Sequence, residues 1–520
     1  MKEFHNNKTN AIYRQTNVTA GRNNVIIGLL SAGQAGDTII SKLKYSFLTI
    51  LLLFASSISF AQVFPPLEPY YSFDSGSYEN SNLAAHEMIL TGISFSEYPQ
   101  VDPSKYMGIY LELEKQVTTP AVRALPEKER ADAVLTMMYE QKLRKYQKNQ
   151  TKLTVMLEDG SYNCVSASVL YAALAKAAGL TVIGNRASDH CFCSVLIDGK
   201  YIDVETTNPM GFEPGSKKQI SSGSRGTSYA IIPTRQYSGR HVISDRMLVS
   251  LISRNISAFT MDKRDYSSSV AHAVVRLVFL QVEKNEPNND SRTDFDTVCA
   301  NYAVELQKSK KFLDSLLWLD SVISRWGESD ILLKNYQDIG YNTILYYCKQ
   351  NNTDYAQEIF NQRKNLFDSE NKEIIEQMIF LSRIQEKIST IKDSNQKLAF
   401  LREQKKSPLA ASTDIQKQID GQIENCHLQL IVDAANASDY LTAIDYAKEG
   451  LTELPKSTKI KNLLTQSQNN YAITVHNDFA DLANKGHYQE AKKVVEEGLK
   501  LVPNNSTLKN DLKRIEQMLK

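Results

Sequence analysis

The chain has 520 residues, a length that corresponds to roughly two to four domains, and hydrophobic residues at 42% with charged residues at 23% give it an ordinary globular composition. Its 60 Lys plus Arg are balanced by 59 Asp plus Glu, a net charge of +1. No basic field exists to hold nucleic acid or an anionic membrane surface, so charge excludes both as partners.

In chain order, residues 1–41 are polar and Asn-rich, and the segment KLKYSFLTILLLFASSISFAQ follows from Lys42. Lys42 and Lys44 form a basic region, Phe47 to Phe54 an apolar one, and Ser59 and Ala61 are the small residues that a signal peptidase reads. The apolar stretch is far short of the ~20 residues that span a bilayer. Residues 1–61 are therefore expected to be a leader and signal peptide, with a mature chain that starts at Gln62, is secreted or periplasmic, and keeps no membrane span. Six cysteines (Cys164, Cys191, Cys193, Cys299, Cys348, Cys426) follow, with neither a dense disulfide framework nor a CxxC pair in their spacing.

Residues 62–244 mix helical and strand patterns, an α+β arrangement. SKYMGIYLELEKQV and EKERADAVLTMMYEQKLRKY have amphipathic helical spacing. DGSYNCVSASVLYAALAKAAGL, from Asp159, places Cys164 at the head of a helix rich in Ala and Leu that Gly179 stops. LTVIG and HCFCSVLI predict strands, Asp198-Gly199 a two-residue turn, and KYIDVETT the returning strand. That turn pairs Ile197 with Lys200 and sets His190 opposite Thr207. Parity then puts His190, Asp203, Glu205 and Thr207 on one face, with Cys191 and Cys193 on the other as packed thiols.

A thiol nucleophile needs a base to take its proton and a group to orient the base. The first turn of a helix favours a thiolate there, and its N–H groups could receive an oxyanion. His190 is the candidate base. Asp203 is diagonal to it in plain register and Glu205 is nearer, so spacing alone ranks the two carboxylates together. Asn163 reads either as an oxyanion donor or as a turn former. Cys164 and His190 alone fall short of the four ligands of a structural zinc, so neither a metal nor another cofactor is expected.

The segments YNCVSASVLYAALAKAAGL and HCFCSVLIDGKYIDVETT, in that order, resemble the transglutaminase-like superfamily of papain-like cysteine enzymes. The resemblance is close over residues 162–207 and looser outside them. It implies Cys164 as nucleophile, His190 (followed by the aromatic Phe192) as general base and then acid, and Asp203 (followed by Thr206) as the group that orients the imidazole. The Asp-Pro-Thr of that family is Asp-Val-Glu-Thr here, which leaves Glu205 as a substitute.

Residues 245–520 read as helices alone. SDYLTAIDYAKEGLTELPKS from Ser438 and GHYQEAKKVVEEGLKLVPNN from Gly486 align: Tyr440, Ala443, Gly450, Leu451 and Pro455 recur as Tyr488, Ala491, Gly498, Leu499 and Pro503. Weaker echoes centre on Tyr266, Phe312 and Tyr355. The pattern resembles the tetratricopeptide repeat, a stacked helical hairpin, and such solenoids bind peptides or proteins. The whole chain is thus expected to be an α+β papain/transglutaminase-like domain followed by an all-α helical-repeat (TPR-like) solenoid. Its expected function is that of an exported thiol enzyme acting on amide bonds of a peptide or protein substrate, with a protein partner on the repeats. The alternative is a non-catalytic scaffold of the same architecture.

Overall fold

A computed structural model describes residues 64–70, 82–100, 102–214, 237, 239–281 and 290–520. The expectations for the leader, the signal peptide and the Gln62 start fall outside these residues. The described chain is mostly helical, with two small sheets, of two and four strands, and a long stack of helical hairpins.

The first helices are α1 (Ala85–Ser96), α2 (Ser104–Val117), α3 (Pro120–Arg123), α4 (Glu127–Gln141), α5 (Leu153–Asp159) and α6 (Cys164–Ala177). Two short parallel strands, β1 (Lys145–Tyr146) and β2 (Ser161–Tyr162), bracket α5. The turn into β2 requires a glycine: Gly160 has φ +78°, and a Cβ there would meet the Lys142 carbonyl oxygen at 2.3 Å. Asn163 then starts α6. Its Oδ1 accepts from the Val165 and Ser166 N–H groups, and Ser166 Oγ accepts from the Asn163 N–H, a reciprocal capping box. Every residue from Val165 to Ala175 is buried, because α6 is apolar all round and is enclosed by neighbours rather than packed on one stripe. The helix closes at Gly179, where the N–H groups of Gly179 and Leu180 return to the carbonyls of Lys176 and Ala175.

Four antiparallel strands lie beside α6 in the order β5 (Lys200–Val204), β4 (Cys191–Ile197), β3 (Val182–Arg186), β6 (His241–Ile243). The β4–β5 register pairs Ile197 with Lys200 through Asp198-Gly199, as the turn predicts. β6 was not foreseen: three residues are too few for a periodicity signal.

The expected domain boundary before residue 245 does not hold as a structural division. Helix α7 (Asp245–Asp262) buries Met247, Leu248, Leu251 and Ile252 in the same core as α6, and Asp245 pairs with Lys176 of α6. Helix α8 (Tyr266–Gln281) serves two cores at once. Val275, Phe279 and Leu280 face the first, while Val270, Val274 and Leu277 face the second. A helix with two apolar faces is thus shared by the two cores.

Beyond it the hairpins continue as α9 (Asp290–Lys308) with α10 (Phe312–Trp326), α11 (Asp330–Lys349) with α12 (Thr353–Arg363), α13 (Ser369–Thr390) with α14 (Ser394–Gln404), α15 (Thr413–Asn436) with α16 (Tyr440–Glu453), and α17 (Thr458–Asn484) with α18 (Tyr488–Leu501). Helix α19 (Ser506–Met518) closes the stack. Tyr266, Phe312, Tyr440 and Tyr488 are each the first residue of a second helix, and each follows a left-handed residue: Arg264, Lys310, Ser438 and Gly486. The α13–α14 hairpin escaped the sequence pattern. No aromatic opens α14, and the turn is made by Asp393, whose carboxylate caps the helix by accepting from the Gln396 N–H.

Candidate functional site

Cys164 is the first residue of α6 and is half-buried. Its sulfur meets three groups: the Cys191 thiol, the Cys191 backbone N–H and the His190 imidazole. The Cys191 thiol contact, with the imidazole and its charge, holds the Cys164 thiol down to about 5, against a burial that alone would push it up. His190 is itself buried, and burial pulls it down. The contacts with Cys164 and Glu205 outweigh that and carry it up to about 10. Between those two values the favoured state is a thiolate beside an imidazolium.

His190 Nε2 lies 2.8 Å from Glu205 Oε2, which leaves Nδ1 as the ring nitrogen toward the sulfur. Glu205 follows the last residue of β5, where the chain leaves the ladder and curls back. The curl is tight: the Glu205 N–H donates to the Gly211 carbonyl at 2.8 Å, and a Cβ on Gly211 would come within 1.9 Å of the Glu205 carbonyl oxygen. The carboxylate is fully engaged. Oε1 accepts from the Thr207 N–H at 3.1 Å and the Thr207 hydroxyl at 2.7 Å, and Oε2 also accepts from the Tyr237 hydroxyl at 2.6 Å. Burial pushes the Glu205 carboxyl up, but these donors and His190 hold it below the usual carboxylate range. The Tyr237 ring stands edge-on to His190 and to Phe192, with centroids 6.1 and 5.0 Å apart.

Asp203 does not orient His190. It lies opposite Ser194 in the β4–β5 ladder and accepts from the Ser194 hydroxyl at 2.8 Å, and its other oxygen pairs with Arg240. His190 is four residues before Ser194, roughly 13 Å along an extended strand. The carboxylate in contact with His190 is Glu205, where the resemblance implies Asp203, and the ladder stops at Cys193 and Val204, so His190 and Thr207 do not pair as the extended register expects. Thr206 is buried and bonds Ser168 Oγ of α6 at 2.8 Å, while the Tyr139 hydroxyl donates to the Thr206 carbonyl at 2.9 Å. These contacts fix the loop that carries Glu205.

Asn163 is a cap and not an oxyanion donor: its amide nitrogen donates to the Lys148 carbonyl at 3.2 Å. In the first turn of the helix the Val165 and Ser166 N–H groups donate to Asn163 Oδ1 and are taken up by the cap. Cys193 is the packed thiol that parity predicts, donating to the Ser168 carbonyl at 3.4 Å. Cys191 packs toward α6 as well, but it also reaches Cys164, a contact that strand parity could not reveal.

A cleft of about 80 Å³ opens on the sulfur, lined among others by Cys164, Arg186, Asp189, His190, Leu251 and Asn255. Leu251 and Asn255 belong to α7, a wall assigned on sequence to the helical half. Arg186 pairs with Asp290, and Arg254 and Arg276 pair with Asp294, so α9 braces the same rim. Among the described residues no group of His, Cys, Asp and Glu is arranged to hold a metal ion, and no helix is long and apolar enough to cross a membrane.

No family model and no curated protein matches this chain. Among solved structures it is similar to a crystal structure of menin, described as revealing the binding site for Mixed Lineage Leukemia (MLL) protein, at 14% identity over 76% of this chain and 94% of that one. The TM-score of 0.27 is too low for that likeness to carry an argument.

Proposed function

We propose that the chain is an exported, transglutaminase-like thiol enzyme acting on amide bonds, with Cys164 as nucleophile, His190 as general base and then acid, and Glu205 as the group that orients the imidazole. The observation that carries this reading is the continuous line of contacts from Cys164 through His190 to Glu205, with the sulfur at a helix start and the thiol held near 5. In the reaction the thiolate attacks the carbonyl carbon of an amide, and the imidazolium gives its proton to the departing amine. The thioester left on Cys164 is then opened by water, which completes hydrolysis, or by a second amine, which completes acyl transfer. His190 takes the proton from either one. The α9–α19 stack is the surface on which a protein partner would be held, beside the cleft rim that α7 and α9 already form.

The test is iodoacetamide labelling of the full chain as a function of pH, read for each cysteine by peptide mass spectrometry. Cys164 is expected to label with a midpoint near 5, well ahead of the five other cysteines, and His190→Ala to move that midpoint toward the ~8.5 of a free thiol. A Cys164 that titrates as an ordinary thiol, unchanged in His190→Ala, would leave the non-catalytic scaffold as the function.

A further inference from the structure

The chemistry proposed above uses one of two sulfurs that meet behind the cleft. Cys191 is the first residue of β4, and both its thiol and its backbone N–H touch the Cys164 sulfur. A separate contact holds it there: Cys191 Sγ lies 3.9 Å from Ser168 Oγ. Ser168 is one helical turn beyond Cys164, on the same face of α6. Cys191 is therefore pressed against the face of α6 that carries the nucleophile, and both side chains line the same cleft. Both are free thiols. Cys193 sits deeper, on the Ser168 carbonyl, and has no such approach. The two sulfurs also differ in character. Cys164 is half-buried and favours the thiolate, whereas the neighbouring sulfur and burial keep Cys191 protonated.

We propose that Cys164 and Cys191 form a modification site for hydroperoxides, at which Cys191 converts the oxidised nucleophile into a reversible disulfide. The Cys164 thiolate attacks one peroxide oxygen; an S–O bond forms, the O–O bond breaks, and hydroxide leaves. Cys164 is oxidised to the sulfenic acid as the peroxide is reduced. The Cys191 sulfur then attacks Cys164 Sγ: the S–S bond forms, the S–O bond breaks, and the Cys191 proton departs with the oxygen as water. In sum, two thiols and one hydrogen peroxide give one disulfide and two waters. A low-pKa, accessible thiol with a second thiol in contact is the arrangement that stops oxidation before the irreversible sulfinic acid. The pair rests on the reading of Cys164 as a reactive thiolate, and it has its own readout.

The full chain would be treated at pH 7 with one equivalent of hydrogen peroxide and mapped without reduction. The expected product is a peptide pair joined through Cys164 and Cys191, two hydrogens lighter than the separate thiol peptides. Iodoacetamide labelling of Cys164 should fall to background and return with dithiothreitol. In Cys191→Ser the same treatment should leave Cys164 as a sulfenic acid that dimedone captures, and further peroxide should carry it to the sulfinic acid. Wild-type Cys164 that reaches the sulfinic acid while Cys191 stays a free thiol, or that is not oxidised at all, overturns the pair. Untreated Cys164 that titrates as an ordinary thiol sinks the enzyme reading and the pair with it, whereas a low labelling midpoint with no peroxide-made Cys164–Cys191 cross-link sinks the modification site alone.

Discussion

Asp203 and Glu205 stand two residues apart, one inside β5 and one just past its end, and their surroundings give them different work. Asp203 is tied to Ser194 and Arg240 at a partly exposed edge. Glu205 is buried with all its bonds inside the site. A buried imidazolium without a carboxylate partner is costly, and the thiolate depends on that imidazolium for its counter-charge. Glu205→Gln keeps the shape and removes the charge, so the Cys164 labelling midpoint should rise by about 1–3 units, the usual effect of one close opposite charge. Asp203→Ala should leave that midpoint where it is. Labelling both variants across the pH range decides the matter: a shift in Asp203→Ala and none in Glu205→Gln would reinstate Asp203. The helix start at Cys164 and the β4–β5 turn with its register were legible in the sequence because helix starts and turn residues are local signals. The choice of carboxylate was not, because it turns on the curl at Gly211 and on Tyr237, 32 positions beyond Glu205.

At the scale of the element, the repeats were legible where one chemical reason recurs at each turn. An aromatic opens the second helix after a left-handed residue, and small residues let the paired helices close up. Gly498 shows how tight that approach is, since a Cβ there would meet Val475 Cγ1 at 2.7 Å. The same contact surface buries Ala491 fully, in a cluster with Ala472, Val475 and Phe479. Ala491→Trp forces a large ring into this gap and should destabilise the end of the stack by about 1–3 kcal/mol. A thermal melt that loses its cooperativity at the C-terminal hairpins, with Cys164 labelling unaltered, is the expected outcome, and an unchanged melt would mean the helices are not closely packed there. Helices α13 and α14 were illegible for the opposite reason: an Asp cap makes their turn, so the aromatic marker is absent.

For the molecule as a whole, the change from mixed to purely helical sequence near residue 245 is real as a pattern but does not mark where one core ends. Helix α7 supplies part of the first core and part of the cleft wall. Helix α8 needs both cores covered, and α9 pins the rim through Asp290 and Asp294. The segment 64–70 reaches further still. The Phe64 ring lies 5.6 Å from that of Trp318, the Trp326 indole donates to the Leu67 carbonyl at 3.2 Å, and Glu68 pairs with Arg325, all on α10. The smallest piece that keeps every one of these contacts runs from Phe64 to Trp326. A fragment of residues 62–244 strips the apolar face of α7 from α6 and leaves Lys176 without Asp245, so it should aggregate or stay unfolded. The fragment 62–326 should melt cooperatively by circular dichroism and label at Cys164 with the midpoint of the full chain. If 62–244 alone melts cooperatively and keeps the low-pH labelling of Cys164, then α7 is dispensable to the first core, and the boundary belongs where the sequence pattern changes.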